Sequence, residues 1–117
     1  MTTVEEFFGG TGLGLAVFER VRSLLDEPFD VRVSKSQVSF RRHRGFAYLW
    51  TPSRYLHAPT AEVVLSIALD RHDPSPRFKQ VSHPAPRHWM HHLEVQSLDD
   101  LDDQVAAWLI ETADRAT

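Results

Sequence analysis

The stretch VSFRRHRGFAYLW, residues 38–50, decides the fold because it contains two strands and the turn that joins them. Apolar and polar residues alternate on both sides of the turn, which is the period of a strand with one face against a core. Gly45 suits the turn because glycine readily takes a positive φ. Strict alternation gives the second strand an aromatic face, formed by Phe46, Tyr48 and Trp50. We expect this face to point into the core, leaving Ala47 and Leu49 on the opposite face.

Further strands are predicted on both sides of this hairpin. Residues 31–33 and 88–96 alternate in the manner of half-buried strands. Residues 61–69, AEVVLSIAL, are largely apolar on both faces and rich in β-branched side chains. This pattern favours an interior strand covered on both sides over the alternative, a helix.

Two segments that contain proline are predicted to be connections. Residues 53–59 form the shorter one, with Tyr55 as a possible aromatic anchor. Residues 71–87 contain four prolines, which forbid a continuous helix and predict a long ordered loop held down by Phe78 and Val81. Loops of this length often carry function, so this segment is a candidate site.

Helices are predicted at both ends of the chain. Thr3 and Glu6 have the spacing of a capping box, which predicts a short helix over residues 4–8. Apolar residues recur every three to four positions over residues 13–25, which predicts a longer amphipathic helix. Ser97 is expected to cap a final helix. The core stripe of that helix is predicted to be Leu98, Leu101, Val105, Trp108 and Leu109.

These elements predict a single α+β domain over residues 1–117, with one antiparallel sheet of about four to five strands and N-terminal and C-terminal helices packed on one face. A chain of 117 residues, 42% of them hydrophobic, is long enough to bury a core. It contains no cysteine, which excludes disulfides, cysteine-ligated zinc and thiol catalysis. No apolar run is long enough to span a bilayer and the N-terminus is acidic, so we expect a cytoplasmic protein with no membrane partner.

The net charge of −3 conceals three blocks of different charge. Residues 1–30 carry six acids and two bases, residues 31–89 carry ten bases and three acids, and residues 90–117 carry seven acids and one base. The middle block therefore has a net charge of +7 between blocks of −4 and −6. A basic middle block can attract anionic partners. The alternative is internal pairing, in which the acidic helices neutralise the basic strands.

We predict an anion-binding surface on the strand–turn region and the proline-rich loop. Its residues are Arg41, Arg42, Arg44, Arg77, Lys79 and Arg87. Nucleic acid or a phosphorylated ligand is the expected partner, because guanidinium groups neutralise phosphates and aromatic rings stack on bases. We expect the rings to face the core, which leaves a solvated row of arginines outside, so stacking on bases would require the opposite face, where mainly Ala47 and Leu49 remain. No motif commits the chain to a reaction, so a non-catalytic binding module is favoured over an enzyme, and no cofactor is expected.

Four histidines within residues 83–92 give a second hypothesis, a small metal-binding protein or enzyme. His91 and His92 are neighbours on a strand and point to opposite faces, so they cannot bind one ion together. His88 and His92 share a face and are the candidate metal ligands. The alternative is that His91 packs in the interior while His92 is exposed. A third hypothesis is a protein partner or a homodimer formed through a sheet edge or the aromatic strand.

Four segments together resemble a known family. They are SKSQVSFRRHRGFAYLW (residues 34–50), DPSPRFKQV (73–81), HWMHHLEV (88–95) and SLDDLDDQVAAWL (97–109). The chain is similar, over nearly its whole length, to the bacterial family of domains of unknown function numbered 5655. The resemblance implies a helix, an antiparallel sheet and a final helix. It supplies no established activity and no catalytic residues, so function has to be argued from the site itself.

Overall fold

The computed structural model of the protein describes residues 3–9, 12–26, 28–52 and 61–117. Within these ranges the elements follow one another as α1 (Val4–Phe8), α2 (Gly12–Leu24), β1 (Asp30–Val33), β2 (Val38–Arg41), β3 (Gly45–Trp50), β4 (Val63–Leu69), β5 (Gln80–Ala85), β6 (His88–Val95), a 3₁₀ turn (Leu98–Asp100) and α3 (Asp103–Arg115). The predicted connection over residues 53–59, with its anchor Tyr55, lies outside the described residues.

The strands form one six-stranded sheet in the order β1-β2-β3-β4-β6-β5, and every neighbouring pair is antiparallel. The terminal helices pack on one face of this sheet, so the predicted α+β architecture is confirmed. β4 lies between β3 and β6, and all seven of its residues are buried, as expected for an interior strand. The core between sheet and helices includes Phe40, Leu49, Leu65, Ile67 and Leu109.

The strand that exceeds the predicted number is β5, which lies where a loop was expected. Residues 71–87 contain four prolines, yet β5 pairs with β6 at the edge of the sheet. Pro84 is tolerated because an edge strand leaves one side of its backbone unpaired and because the pairing register shifts beside it. Phe78 is buried and Val81 packs against the core, as the anchors of this segment were predicted to do. The loop prediction is therefore wrong for the β5 residues.

A β-bulge in β3 determines which aromatic side chains reach the core. Gly45 pairs with Arg41 and Ala47 pairs with Phe40, so Phe46 is an extra residue with no opposite partner. Phe46 is fully buried on the helix-covered side, where its ring centroid lies 6.4 Å from that of Phe40. The bulge therefore separates Phe46 from the two aromatic residues that follow it in β3.

Tyr48 and Trp50 lie on the opposite face of the sheet, which corrects the prediction that they point into the core. Ala47 and Leu49 are fully buried beneath the helices instead. From Ala47 onward, successive side chains alternate between the two faces as predicted. Phe46 is the bulged residue and lies on the same face as its neighbour Ala47, so counting alternate positions from Phe46 assigned Tyr48 and Trp50 to the wrong face. Both aromatic residues are half-buried.

The N-terminal helices pack closely because of one glycine. Thr3 caps α1, accepting a hydrogen bond of 3.1 Å from the Glu6 N–H. Gly9 ends α1 with a left-handed φ of 55°. Phe8 then lies against α2 at Gly14, where an added Cβ would come within 2.3 Å of the Phe8 ring. Only glycine at this position leaves room for that ring.

The final helix begins later than predicted. Ser97 precedes only the 3₁₀ turn, and α3 is capped by Asp102, whose Oδ1 accepts a hydrogen bond from the Val105 N–H. Leu98 is therefore outside the helical stripe and 39% exposed, which corrects its predicted place in the core. The other members of the stripe are buried: Leu101, Val105, Trp108 and Leu109.

Candidate functional site

In the described part of the chain the helices cover one face of the sheet, and the other face carries a groove of about 510 Å³. Its centre is a row of three side chains on neighbouring strands, Tyr48 on β3, Ser66 on β4 and His92 on β6. The groove is lined by Ser36, Gln37, Tyr48, Trp50, Ser66, Met90 and His92. It therefore combines two aromatic rings, an imidazole and a thioether on a surface open to ligand.

A chain of hydrogen bonds fixes the groove floor. The Trp50 Nε1–H donates to Ser66 Oγ over 2.9 Å, and Ser66 Oγ lies 2.7 Å from His92 Nδ1. An indole N–H can only donate, so Ser66 Oγ accepts the bond from Trp50, and its hydroxyl either donates to His92 Nδ1 or accepts from a protonated Nδ1. Burial and then the charge of neighbouring His91 lower the pKa of His92, which favours the neutral ring.

A cluster of cationic side chains lies at the turn end of the same face, and we call Arg44, Arg115 and His88 the cation cluster. Arg44 Nη2 donates to the Arg115 carbonyl over 2.8 Å, and Arg115 Nη2 lies 3.5 Å from His88 Nδ1. Burial lowers the pKa of Arg115, and the charge of Arg44 lowers it further, against the opposing effects of Asp70 and Tyr48. Burial, Arg115 and Arg44 likewise lower the pKa of His88. The two guanidinium groups of Arg44 and Arg115 are thus held close to each other beside a histidine ring that the fold favours as neutral, and a bound anion stabilises such a pair of like charges.

Tyr48 connects the groove to the cation cluster. Its hydroxyl lies directly over Gly45, where an added Cβ would come within 2.4 Å of Oη. Gly45 follows Arg44 in the turn, so the phenol ring lies between the groove floor and the first arginine of the cluster. Gly45 does not take the positive φ expected of it; its missing side chain instead leaves the space that the Tyr48 hydroxyl occupies.

The turn between β2 and β3 caps the C-terminus of α3. The Arg42 Nη1 donates to the Ala113 carbonyl over 3.3 Å, and the His43 N–H donates to the Ala116 carbonyl over 3.0 Å. Arg44 adds its bond to the Arg115 carbonyl. Cations at a helix C-terminus also complement the helix dipole. Arg42 and Arg44, predicted as anion ligands, thus have a structural role in this part of the fold.

The six predicted anion ligands do not form one patch. Arg77 lies at the N-terminal end of α3, where its guanidinium contacts both carboxylate oxygens of Asp102 and the Asp100 carbonyl. The 13 residues of α3 separate it from Arg42 and Arg44 by about 20 Å. Of the other three, Arg41 is half-buried at the end of β2, whereas Lys79 and Arg87 are exposed at the two ends of β5.

The histidines of residues 83–92 are distributed over both faces, as alternation predicted. His91 is fully buried, and its Nε2 accepts a hydrogen bond of 3.0 Å from the Asp73 N–H. His92 is half-buried and bonded to Ser66 rather than exposed, which corrects that alternative. His83 stacks on Trp89 at 3.5 Å. Among the residues that the structure describes, no three His, Asp or Glu side chains converge as metal ligands.

Sequence reasoning missed Arg115 and assigned Tyr48 and Trp50 to the wrong face. Arg115 is the only base in the acidic block of residues 90–117. The net charge of that block is strongly negative, so the block was not considered as a source of anion ligands. The informative signal was its position in the last turn of α3, where a cation is favoured. That signal does not say which strands the helix end approaches.

The chain belongs to the family described as a domain of unknown function, DUF5655, whose pattern matches residues 15–113. No curated protein and no solved structure matches the chain significantly. Within the described ranges, none of the helices has the length and apolar character needed to cross a membrane.

Proposed function

We propose that this protein is a cytoplasmic, non-catalytic binding module whose uncovered sheet face binds single-stranded nucleic acid. The observation that carries the proposal is the position of Tyr48, which touches the turn of the cation cluster at one end and belongs to the groove row at the other. A single strand presents phosphates and unstacked bases side by side. The face offers cations and rings in the same arrangement.

The aromatic part of the argument rests on Tyr48 and Trp50. Both rings are half-buried on the face that no helix of the described residues covers, so part of each ring is accessible to a base. Base–aromatic stacking contributes about 1–3 kcal/mol per base and tolerates any sequence. A site of this kind would bind single strands with little sequence preference and would bind duplexes less well.

The electrostatic part rests on Arg44 and Arg115. Among the described residues no carboxylate lies within salt-bridge distance of either guanidinium, whereas Arg42 and Arg77 each have one such partner and Arg71 has two. Unneutralised arginines are available to phosphate, and each phosphate contact makes the affinity more dependent on salt.

The test is a fluorescence-anisotropy titration of short labelled single strands at low and moderate salt. The variant is Arg44→Gln, which removes the charge but keeps an N–H donor for the Arg115 carbonyl. We expect it to weaken binding about three- to tenfold and to reduce the slope of log K against log salt by about 0.7. The control is Arg20→Gln, the same change at an exposed position of α2, which should leave the affinity unchanged.

Two results would refute the proposal. One is the absence of binding at low salt, where electrostatic attraction is strongest. The other is an equal loss in the Arg44 and Arg20 variants, which would mean attraction by overall charge alone. Competition with a mononucleotide separates the two expected ligands: a phosphorylated small molecule would compete as well as the strand does, whereas a strand-binding face requires the longer ligand.

A further inference from the structure

A second cavity, of about 200 Å³, lies on the helix side of the sheet, away from the groove. It is enclosed by the end of α2, the segment before β1, the β2–β3 turn with the start of β3, and α3. Its apolar lining consists of Leu25, Phe29, Phe46, Ile110 and Ala113, and its charged lining consists of Asp26, Arg42 and Asp114. An apolar site with few polar groups is the usual form of a small-molecule pocket.

The apolar lining is partly exposed to solvent. Ile110 is 45% exposed, and it is the most exposed of the three large apolar side chains that lie open to solvent among the described residues. Phe46 reaches the cavity only because the β-bulge turns it to this side. A ligand with an apolar body would remove this surface from water, at about 25 cal/mol for each Å² buried.

Arg42 is the charged group of the cavity that is least hydrated. Its side chain is 20% exposed, and its Nη1 donates to the Ala113 carbonyl and lies 3.9 Å from Asp114 Oδ1. A guanidinium has five N–H donors, so most of the donors of Arg42 have no partner among the described residues. The side chain of Asp114 is 69% exposed and Asp26 is exposed, so water stabilises both carboxylates.

We propose that this cavity binds a small organic carboxylate with an aromatic or aliphatic body, whose carboxylate contacts Arg42. The fork of a guanidinium matches a carboxylate with two parallel hydrogen bonds. The volume fits one ring with a short side chain, because cavities of about 150 Å³ already hold benzene. Half-buried Phe29 and exposed Ile110 provide the accessible surface for the ring, whereas Phe46 is fully buried in the cavity wall.

The experiment titrates the protein with phenylacetate and follows the methyl NMR signals of Ile110 and Ala113. Two comparison ligands share the same body, 2-phenylethylamine with a positive charge and 2-phenylethanol with none. We expect phenylacetate to bind at least about tenfold more tightly than either, because charged bidentate hydrogen bonds are the strong ones. Arg42→Gln should remove this preference.

Asp114→Asn keeps the test decisive even if the Arg42 variant does not fold. Asp114 is exposed, so its substitution leaves the core intact, and it removes a carboxylate that competes for Arg42. The affinity for phenylacetate should rise about two- to fivefold. Tighter binding of the amine, weaker binding of phenylacetate by Asp114→Asn, or no methyl shift up to the solubility limit would each overturn the proposal.

Discussion

Thr112 joins α3 to the sheet through one buried hydroxyl. Its Oγ1 donates to the Phe46 carbonyl over 3.0 Å and also contacts the Ala68 carbonyl, so the hydroxyl is shared between β3 and β4. The Phe46 carbonyl belongs to the bulged residue, where the sheet ladder is interrupted. Thr112, a polar residue on the inner face of α3, thus stabilises the β-bulge that places Phe46 on one face of the sheet and Tyr48 and Trp50 on the other.

Thr112→Val should destabilise the protein by about 1–3 kcal/mol, because an isosteric apolar side chain leaves buried carbonyls without a donor. Thr112→Ser is the matched control, since it keeps the hydroxyl and loses only a methyl group. Urea denaturation of both variants measures the difference in the free energy of unfolding. If Thr112→Val proves as stable as Thr112→Ser, the hydroxyl does not hold the bulge.

The bulge also marks the limit of sequence-based prediction at the level of residues. Alternation in β3 located the strand and paired Ala47 with Leu49, but it could not reveal that Phe46 shares their face. An extra residue in one strand is visible only against its partner, here Phe40 and Arg41. The candidate groove was missed for this reason, because Tyr48 and Trp50 were predicted to point into the core with Phe46.

The packing of α1 on α2 depends on the absence of one side chain. Gly14→Ala would place a Cβ 2.3 Å from the Phe8 ring, so α1 must shift, and we expect a loss of about 1–3 kcal/mol. Gly12→Ala is the control in the same helix, where the added Cβ meets nothing within 4 Å. That variant should be neutral or more stable by about 0.4–1 kcal/mol.

Thermal denaturation compares the two alanine variants directly. Gly12 is the first residue of α2 and Gly14 lies further inside the helix, so Gly14→Ala gains at least as much helix propensity as Gly12→Ala, and a lower melting temperature of Gly14→Ala reports the contact with Phe8. Equal melting temperatures would contradict the close packing of α1 on α2. A Phe8→Leu change in the Gly14→Ala background, which makes the ring smaller, should recover part of the loss.

Elements were predictable where local signals were strong. The period of two located β1, β2, β3 and β6, the apolar and β-branched content of residues 61–69 located β4, and the capping residue Thr3 located α1. β5 was missed because its prolines argue against a strand, and the edge position that tolerates them is a property of the sheet, not of the segment. α3 begins later than predicted because two aspartates accept capping hydrogen bonds. Asp100 accepts from the Ser97 N–H before the 3₁₀ turn, and Asp102 accepts from the Val105 N–H at the start of α3.

The charge pattern was interpreted in two ways, as an anion-binding basic block and as internal pairing of acidic helices with basic strands, and the whole molecule has features of both. Acidic α3 pairs with the basic middle block at three arginines: Arg71 lies 2.8 Å from Glu111, Arg77 lies 2.9 Å from Asp102, and Arg42 lies 3.9 Å from Asp114. The carboxylate of each pair is at least partly exposed to water, so each pair contributes little to stability. Their effect is electrostatic, because they neutralise the helix side and leave the charge of Arg44 and Arg115 on the sheet side.

The pH dependence of stability follows from histidines held neutral in the fold. Burial lowers the pKa of His91, and burial also lowers the pKa of His88 and His92. Below the ordinary histidine pKa of about 6.5, the unfolded chain therefore binds more protons than the folded one. The free energy of unfolding should fall as the pH drops from about 6.5 through these lowered pKa values, and it should be flat just above 6.5.

The carboxylates act in a more acidic range, which keeps the two effects apart. Hydrogen bonds from Arg77 and the Val105 N–H lower the pKa of Asp102 below its usual value of 3.8, so its contribution is lost only as the pH falls below that value. Urea midpoints between pH values of about 5 and 7.5 therefore report the histidines. His92→Asn keeps a hydrogen-bonding partner for Ser66 and should reduce the slope. Stability that rises as the pH falls through this range would mean that the folded protein binds protons at these rings, and the neutral Trp50–Ser66–His92 chain on the groove floor would then be wrong.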